Sequence, residues 1–352
     1  MSADVHWLSQ ALQCARAGFL AFTVVFYCAF LVVIRKRKSA AEFCAPFFQF
    51  TFCLGMVDVY CLLNSFLGMR AFRVLTPVYR AGGPTLAMVI LQGAWYTRIA
   101  QGLGVVLLSV NRYVAVCWPA LNARLWKAHV MWACYAIQFA TPLLLMTPNY
   151  FSGAEFVFFD NESRAVPIFD RRRKAVINWM FATVCLTELT FVGVVVTLYS
   201  LMLASLWRRY SRKKRMSTRR PSSTLMGPFY LRRSEIKLAL CGLIICSVEL
   251  CWLLYLLMMA LPMVRGRVTG PPGMPILNLL TDLYSSCNPY IILALCPTVR
   301  RRFLRELACC CPRHHRLESS AAGRMLSPKL SMATLHKGSS GRRSDAQPTP
   351  TS

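Results

Sequence analysis

The chain has 352 residues, of which 56% are hydrophobic and only 16% are charged, with 41 Lys and Arg against 14 Asp and Glu. A soluble domain of this length would carry more charge, and its apolar residues would recur periodically instead of in long blocks. The basic residues lie between the apolar blocks, which argues against nucleic-acid binding and favours anionic membrane lipid as the counter-charge.

Seven apolar blocks are long enough to cross a membrane. A spanning helix needs about 20 mostly apolar residues for a hydrocarbon core of about 30 Å, and it satisfies its own backbone hydrogen bonds. The predicted spans are residues 17–34, 45–69, 85–110, 129–147, 175–206, 236–263 and 275–296. The sequence therefore predicts an all-α membrane protein, with a seven-transmembrane helix bundle over residues 17–296 after a short extracellular N-terminus at 1–16.

Basic residues concentrate on one side of the predicted membrane. They cluster directly after span one, after span three, in the loop 207–233 and beyond span seven. An excess of Lys and Arg marks the cytoplasmic side, so we expect a multi-pass plasma-membrane protein with its N-terminus extracellular and its C-terminus cytoplasmic. Asn161, in the triplet Asn-Glu-Ser, then falls in an outer loop and is a predicted glycosylation site.

The segment after span seven, residues 297–311, predicts a short amphipathic eighth helix that ends in a cysteine triplet. Cysteines next to membrane-proximal arginines are candidates for palmitoylation, which would hold this helix on the inner leaflet. The triplet is Cys309, Cys310 and Cys311, and three unmodified thiols are the alternative. Residues 312–352 are rich in Ser, Arg, Gly and Pro, a composition that predicts a disordered cytoplasmic tail.

Ionisable side chains inside the predicted spans mark candidate functional positions. Such a group is costly within a bilayer, and by default it lines a pathway or a pocket or belongs to an ion pair. Five of them lie at comparable depth: Asp58, Arg98, Glu188, Glu249 and Asp282. We expect Arg98 to pair with Asp282 or Glu249 and to line a ligand pocket, although a purely structural ion pair is the alternative. The predicted pocket residues are Trp95, Arg98, Glu249, Trp252 and Asp282.

We expect Asp58 to form a second polar cluster with Ser285 and Asn288 of the last span. Its protonation, or a bound sodium ion, would bias the protein between two helix arrangements. A neutral Asp58 that is hydrogen-bonded to Asn288 is the alternative, and the sequence leaves both open. Apart from that possible sodium ion, no cofactor and no metal site are expected.

The end of span three carries Asn111-Arg112-Tyr113, with Pro119 shortly afterwards. Glu235 opens span six, and a contact between Arg112 and Glu235 would hold an inactive arrangement that releases Arg112 when span six moves. In span seven, Pro289 lacks a backbone donor, which predicts a hinge there.

These motifs resemble the rhodopsin-type receptors, and more closely the nematode serpentine chemoreceptors of the Srg superfamily, class gamma or class v. The resemblance rests on residues 108–116 with Pro119, on Glu235 ahead of Leu238, and on residues 282–290 with the basic stretch after them. It implies a G-protein-coupled chemosensory receptor that binds an external small molecule or peptide within the bundle. It also makes sensory cilia a candidate location. Arg112, Tyr113 and Glu235 would then serve coupling to a heterotrimeric G protein, while dimerisation is left open.

Several positions depart from the rhodopsin-type pattern. Asn111 replaces the usual acidic residue before the arginine, so one restraint on Arg112 is absent. The cysteine that is usual at the outer end of span three is missing, and the equivalent position lies near Ala87. The second outer loop, residues 149–174, contains no cysteine that could form a disulfide. We therefore expect that loop not to be pinned. Span six lacks its usual proline, and the last motif continues from Tyr290 into two isoleucines.

Two other classes of function compete with a receptor. The intramembrane acids would suit the ion path of a secondary transporter or channel, but the odd number of spans and the absence of an internal repeat argue against it. An intramembrane hydrolase could use Asp58 and Asp282 as a pair that shares a proton, but neither lies in a recognisable catalytic motif. The sequence therefore favours a receptor that is not an enzyme.

Overall fold

The computed structural model describes residues 3–36, 45–69, 71–151, 153–159, 164–169, 174–217, 244–255, 257–258 and 274–309. The chain divides into two compact units, Met1–Leu304 and Arg305–Ser352. The first unit contains every element named below except the end of the last helix, and the described part of the second unit is that helix end, residues 305–309.

Helices dominate the described chain, with one short hairpin between them. The elements in order are α1 (Ala3–Lys36), α2 (Pro46–Met69), α3 (Phe72–Cys117), α4 (Pro119–Leu125), α5 (Ala128–Met146), a 3-10 helix (Thr147–Phe151), β1 (Ala154–Phe159), β2 (Arg164–Phe169), α6 (Lys174–Ser217), α7 (Ile244–Tyr255), α8 (Met274–Leu295) and α9 (Pro297–Cys309). The all-α membrane fold expected from the sequence is confirmed.

Five of the described helices, α1, α2, α3, α5 and α6, are long and apolar enough to cross a membrane. The sixth predicted span is represented by the shorter apolar helix α7, because most of the rest of it lies outside the described residues. The seventh coincides with α8, which has 22 residues and contains Pro289 within the helix. Large apolar side chains such as Trp132 and Leu144 are exposed on these helices, as lipid-facing surfaces require.

The helices extend beyond several predicted spans. α1 begins at Ala3, whereas the predicted span begins at 17, and α3 begins at Phe72, whereas its predicted span begins at 85. Within α3, two helical stretches meet at a kink at Gly83, whose φ of +48° is a conformation that glycine adopts easily. Pro84 follows at once, and it has no N–H to continue the hydrogen-bond ladder.

The connection between α5 and α6 is held by packing. Its two strands pair antiparallel, with Ala154 opposite Phe169. These two residues belong to a buried cluster with Ala87 and Leu91 of α3, and the Phe156 ring lies 5.0 Å from that of Tyr79, also on α3. The expectation that this loop is not pinned is therefore wrong, because apolar contacts to α3 hold it without a disulfide.

The predicted amphipathic segment after span seven is confirmed as helix α9. Val299 and Phe303 are buried, and the Phe303 ring lies 5.4 Å from Phe26 of α1, whereas Arg300 and Arg301 are exposed. Cys309 is the last residue of α9. Several predicted features lie outside the described residues: Cys310, Cys311, the glycosylation site Asn161, Glu235 and the tail 312–352.

Candidate functional site

A buried ionic contact joins α3, α6 and α7. Arg98 on α3 is 4% exposed, and its Nη2 donates to Oε2 of Glu188 on α6 at 2.7 Å. The same nitrogen also donates to Oε2 of Glu249 on α7. Both carboxylates are buried as well. The predicted pair between Arg98 and Glu249 is confirmed, and Glu188, which the sequence placed inside the membrane but not in the pocket, is the second partner.

Two aromatic rings complete this contact. The guanidinium carbon of Arg98 lies 4.0 Å from the ring centroid of Trp252 on α7 and 4.3 Å from that of Tyr284 on α8. The Tyr284 hydroxyl donates to Oε1 of Glu249, so this residue contacts Arg98 through its ring face and Glu249 through its hydroxyl. A cation over an aromatic face is attracted by the ring quadrupole, and more strongly away from water. We call Arg98, Glu188, Glu249, Trp252 and Tyr284 the Arg98 cluster.

The Arg98 cluster has hydrogen-bonding capacity that the described residues do not use. Nε and Nη1 of Arg98 and Oε1 of Glu188 are buried without a hydrogen-bond partner in the described part of the chain. Buried polar atoms normally find a partner, because leaving them without one is costly. One guanidinium also faces two carboxylates, so the cluster carries one negative charge in excess when both are ionised. It therefore suits a further polar group.

Asp282 does not belong to this cluster. Its Oδ2 accepts two hydrogen bonds from Arg16 of α1, from Nε at 2.9 Å and from Nη2 at 2.6 Å. Of the two partners that the sequence offered for Arg98, the structure pairs Arg98 with Glu249, and it pairs Asp282 with Arg16 instead. Sequence reasoning missed Arg16 because it assigned residues 1–16 to an extracellular N-terminus, whereas α1 continues through them as far as Ala3.

Trp95 lies near the cluster through apolar packing. It packs against the buried group that contains Ile99, Val184 and Trp252, and its ring lies 5.4 Å from that of Phe181 in an edge-on arrangement. The structure thus brings together four of the predicted pocket residues, Trp95, Arg98, Glu249 and Trp252, whereas Asp282 pairs with Arg16.

The Asp58 carboxylate has a full set of donors. Oδ2 accepts hydrogen bonds from the Tyr27 hydroxyl at 2.6 Å and from Nδ2 of Asn288 at 2.7 Å. Oδ1 accepts one from Nε2 of Gln101 at 2.6 Å, and the same nitrogen lies 2.9 Å from Oγ of Ser285. The predicted contact with Asn288 is confirmed, and Ser285 joins the network through Gln101. A neutral Asp58 and a bound sodium ion there both stay predictions.

The two networks are adjacent along the same two helices. On α3, Gln101 follows Arg98 by three residues, a spacing that places both on one helix face. On α8, Ser285 directly follows Tyr284. The Arg98 cluster and the Asp58 network therefore lie next to each other on α3 and α8.

At the far end of α3, Arg112 stacks on α2. Its guanidinium carbon lies 3.4 Å from the ring centroid of Phe47, while Asn111 beside it is buried. Tyr113 packs against the buried group that includes Tyr199 of α6. The backbone carbonyl of Cys117, the last residue of α3, accepts a hydrogen bond from Arg209 of α6 at 3.2 Å. The predicted contact of Arg112 with Glu235 stays a prediction, since Glu235 is not described.

Comparison with known proteins identifies the family. The model of a family described as serpentine type 7TM GPCR chemoreceptor Srv matches residues 17–309. Serpentine receptor class V-1 of Caenorhabditis elegans is 25% identical over 140 residues, which are 39% of this chain and 45% of that protein, so the match spans less than half of the relative. Of the two classes that the sequence left open, these matches select class v. Because the family match covers most of the chain, the protein belongs to the Srv family of seven-transmembrane serpentine chemoreceptors, which are receptors and not enzymes.

Proposed function

We propose that this chemoreceptor binds a small external ligand beside the Arg98 cluster and activates a heterotrimeric G protein through the end of α3 that carries Arg112. It would do so in the plasma membrane with its N-terminus extracellular. The observation that carries the proposal is the Arg98 cluster itself, which joins four helices and has donors and an acceptor unused within the described chain.

The position of Arg98 supports a role in signalling. Through Glu249 and Trp252 it connects α3 to α7, and through the Tyr284 ring it connects α3 to α8. A ligand that takes over some of these contacts interacts differently with two arrangements of the helices. That difference in affinity is what shifts a population from one arrangement to the other.

The opposite end of α3 supports a role in coupling. Arg112 stacks on Phe47, and the neighbouring residue is the neutral Asn111, so no acid directly before the arginine restrains it. Arg209 ties the end of α3 to α6 through the Cys117 carbonyl. A relative movement of α3 and α6 would therefore alter the surface around Arg112.

The test is a G-protein dissociation assay in cells that express the receptor, with a panel of small organic compounds, for wild type and for Arg112→Ala. The matched control is Arg124→Ala, which removes an exposed arginine from α4. At equal surface expression we expect Arg112→Ala to abolish the evoked response and Arg124→Ala to retain it. An evoked response that survives Arg112→Ala in full would show that this end of α3 does not couple.

A further inference from the structure

The C-terminal end of α6 continues beyond the packed part of the bundle. Met202 is 2% exposed, and Leu206 still packs against a buried cluster. After Leu206, by contrast, none of the described side chains of α6 is buried, and Trp207 is 70% exposed. The helix nevertheless continues to Ser217, about 16 Å beyond Leu206 at 1.5 Å per residue. Its last turns therefore lie outside the buried core.

This end of α6 is strongly basic. Residues 207–217 include six Lys and Arg and no acidic residue. Like charges three or four residues apart on a helix repel each other and weaken the helix. Helix ends also open most easily, because their last carbonyl groups have no partner within the helix. The last turns of α6 can therefore open at little cost, and an added negative charge is favourable there.

One serine of this segment follows two exposed arginines. Ser211 is partly exposed, and Arg208 and Arg209 precede it by three and two residues. Arg209 donates to the Cys117 carbonyl, but a guanidinium has five N–H groups, so it can bind a carboxylate of another protein as well. Two basic residues shortly before a hydroxyl form the kind of charge pattern by which a protein kinase selects its substrates.

We propose that Ser211 is a phosphorylation site for a protein kinase that selects basic substrates. In the reaction, Oγ of Ser211 attacks the γ-phosphorus of ATP, and a new O–P bond forms while the bond between that phosphorus and the bridging oxygen of ADP breaks. The hydroxyl proton passes to a carboxylate of the kinase. The proposal rests on the proposed orientation, which places this end of α6 in the cytoplasm, where ATP is present.

The phosphate changes the charge of the segment that meets the end of α3. A phosphoserine carries a charge of about −2 at neutral pH, so the net charge of residues 207–217 falls from +6 to about +4. Arg208 precedes Ser211 by three residues, a spacing at which helix side chains are neighbours, so its guanidinium can bind the phosphate. The modified helix end therefore repels itself less than the unmodified one.

The experiment incubates the full chain, folded in detergent, with ATP and the catalytic subunit of cAMP-dependent protein kinase, and locates phosphate by tandem mass spectrometry. We expect phosphate on Ser211 and none on Ser200, an exposed serine of the same helix whose preceding residues carry no charge. Arg208→Ala should lower the initial rate at Ser211 at least tenfold. Arg124→Ala, which removes an exposed arginine of α4, should leave that rate unchanged. Ser211→Thr should still accept phosphate.

A peptide substrate of the same kinase, added to the same tube, shows that the enzyme is active. The folded receptor should also carry phosphate on Ser211 when it is isolated from cells in which forskolin has activated this kinase. The proposal is overturned if the peptide is modified and Ser211 is not, or if Arg208→Ala leaves the rate unchanged. Modification of Ser211 only after heat denaturation, or only in detergent and never in such cells, would overturn it as well.

The readout does not depend on G-protein activation, so the two proposals can fail separately. If Ser211 accepts phosphate but no compound evokes a response, the modification site stands and the proposed coupling fails. If compounds evoke a response that requires Arg112 while Ser211 accepts no phosphate, the receptor function stands and the modification site fails.

Discussion

Replacement of Arg98 by methionine tests whether the cluster exists in the folded protein. The substitution keeps a long apolar side chain but removes the cation that Glu188 and Glu249 share. Both carboxylates are buried, at 0% and 3% exposure, so water cannot replace the lost partner without opening the bundle. The change therefore leaves two like charges close together in a medium that solvates them poorly.

The expected loss of stability is large. Removal of one partner from a buried ion pair costs about 3–5 kcal/mol, because the other charge stays buried without compensation. For domains somewhat smaller than this one, each kcal/mol shifts the unfolding midpoint by about 2–4 °C, so Arg98→Met should lower it by about 10 °C. Replacement of the whole set is far less costly than loss of one member. Arg98→Met combined with Glu188→Gln and Glu249→Gln should therefore recover most of the loss.

The assay heats detergent-solubilised receptor and measures the fraction that stays monodisperse on size-exclusion chromatography. Arg80→Met is the matched control, since Arg80 is an exposed arginine of the same helix. A midpoint for Arg98→Met equal to that of Arg80→Met would refute the reasoning, because it would mean that the two acids do not depend on Arg98. A triple variant less stable than Arg98→Met would refute it as well.

Three further predictions follow from other contacts. Tyr27→Phe removes one hydrogen bond to the buried Asp58 carboxylate and should cost about 1.5–3 kcal/mol, measured as a lower midpoint in the same heating assay; an unchanged midpoint would contradict that bond. Gly104→Leu should reduce the yield of monodisperse receptor, because even a Cβ there would meet side chains of α2 and α5 at 2.9 and 2.7 Å, whereas Gly193→Leu, with nothing within 4 Å, should not. Asn161→Gln should abolish the shift in electrophoretic mobility that glycosidase treatment causes in the wild-type protein. An epitope tag after Ser352 should be inaccessible to antibody in intact cells, and an accessible tag would reverse the proposed orientation.

Hydropathy predicted where the helices cross the membrane, but it placed some of their ends poorly. The sequence analysis did not predict the start of α3, because Pro77, Arg80 and Pro84 interrupt the apolar block. Each of these residues ordinarily signals a loop or a helix end. In the structure the helix continues through this region, with Gly83 absorbing the change of direction. Tertiary packing against the hairpin overrides the local signal, since Tyr79 is 2% exposed beneath it.

The charged pairs show what a sequence predicts about partners and what it does not. Depth along the spans suggested both Glu249 and Asp282 for Arg98, and only the first is correct. Depth alone cannot choose between them, because the partner also depends on which helices are neighbours and which faces they turn to each other. Asp282 pairs instead with Arg16, which lies one residue before the predicted start of span one, on the continuing helix α1.

Helical spacing could have found one contact that was missed. Gln101 follows Arg98 by three residues, so the prediction that Arg98 faces the interior also placed an amide on that interior face. That amide links Asp58 to Ser285 one turn from the Arg98 cluster. The neighbouring networks share α3 and α8, to which the Arg98 cluster adds α6 and α7 and the Asp58 network adds α1 and α2. We therefore expect a ligand that displaces α3 beside Arg98 to change the hydrogen bonds of Asp58 as well.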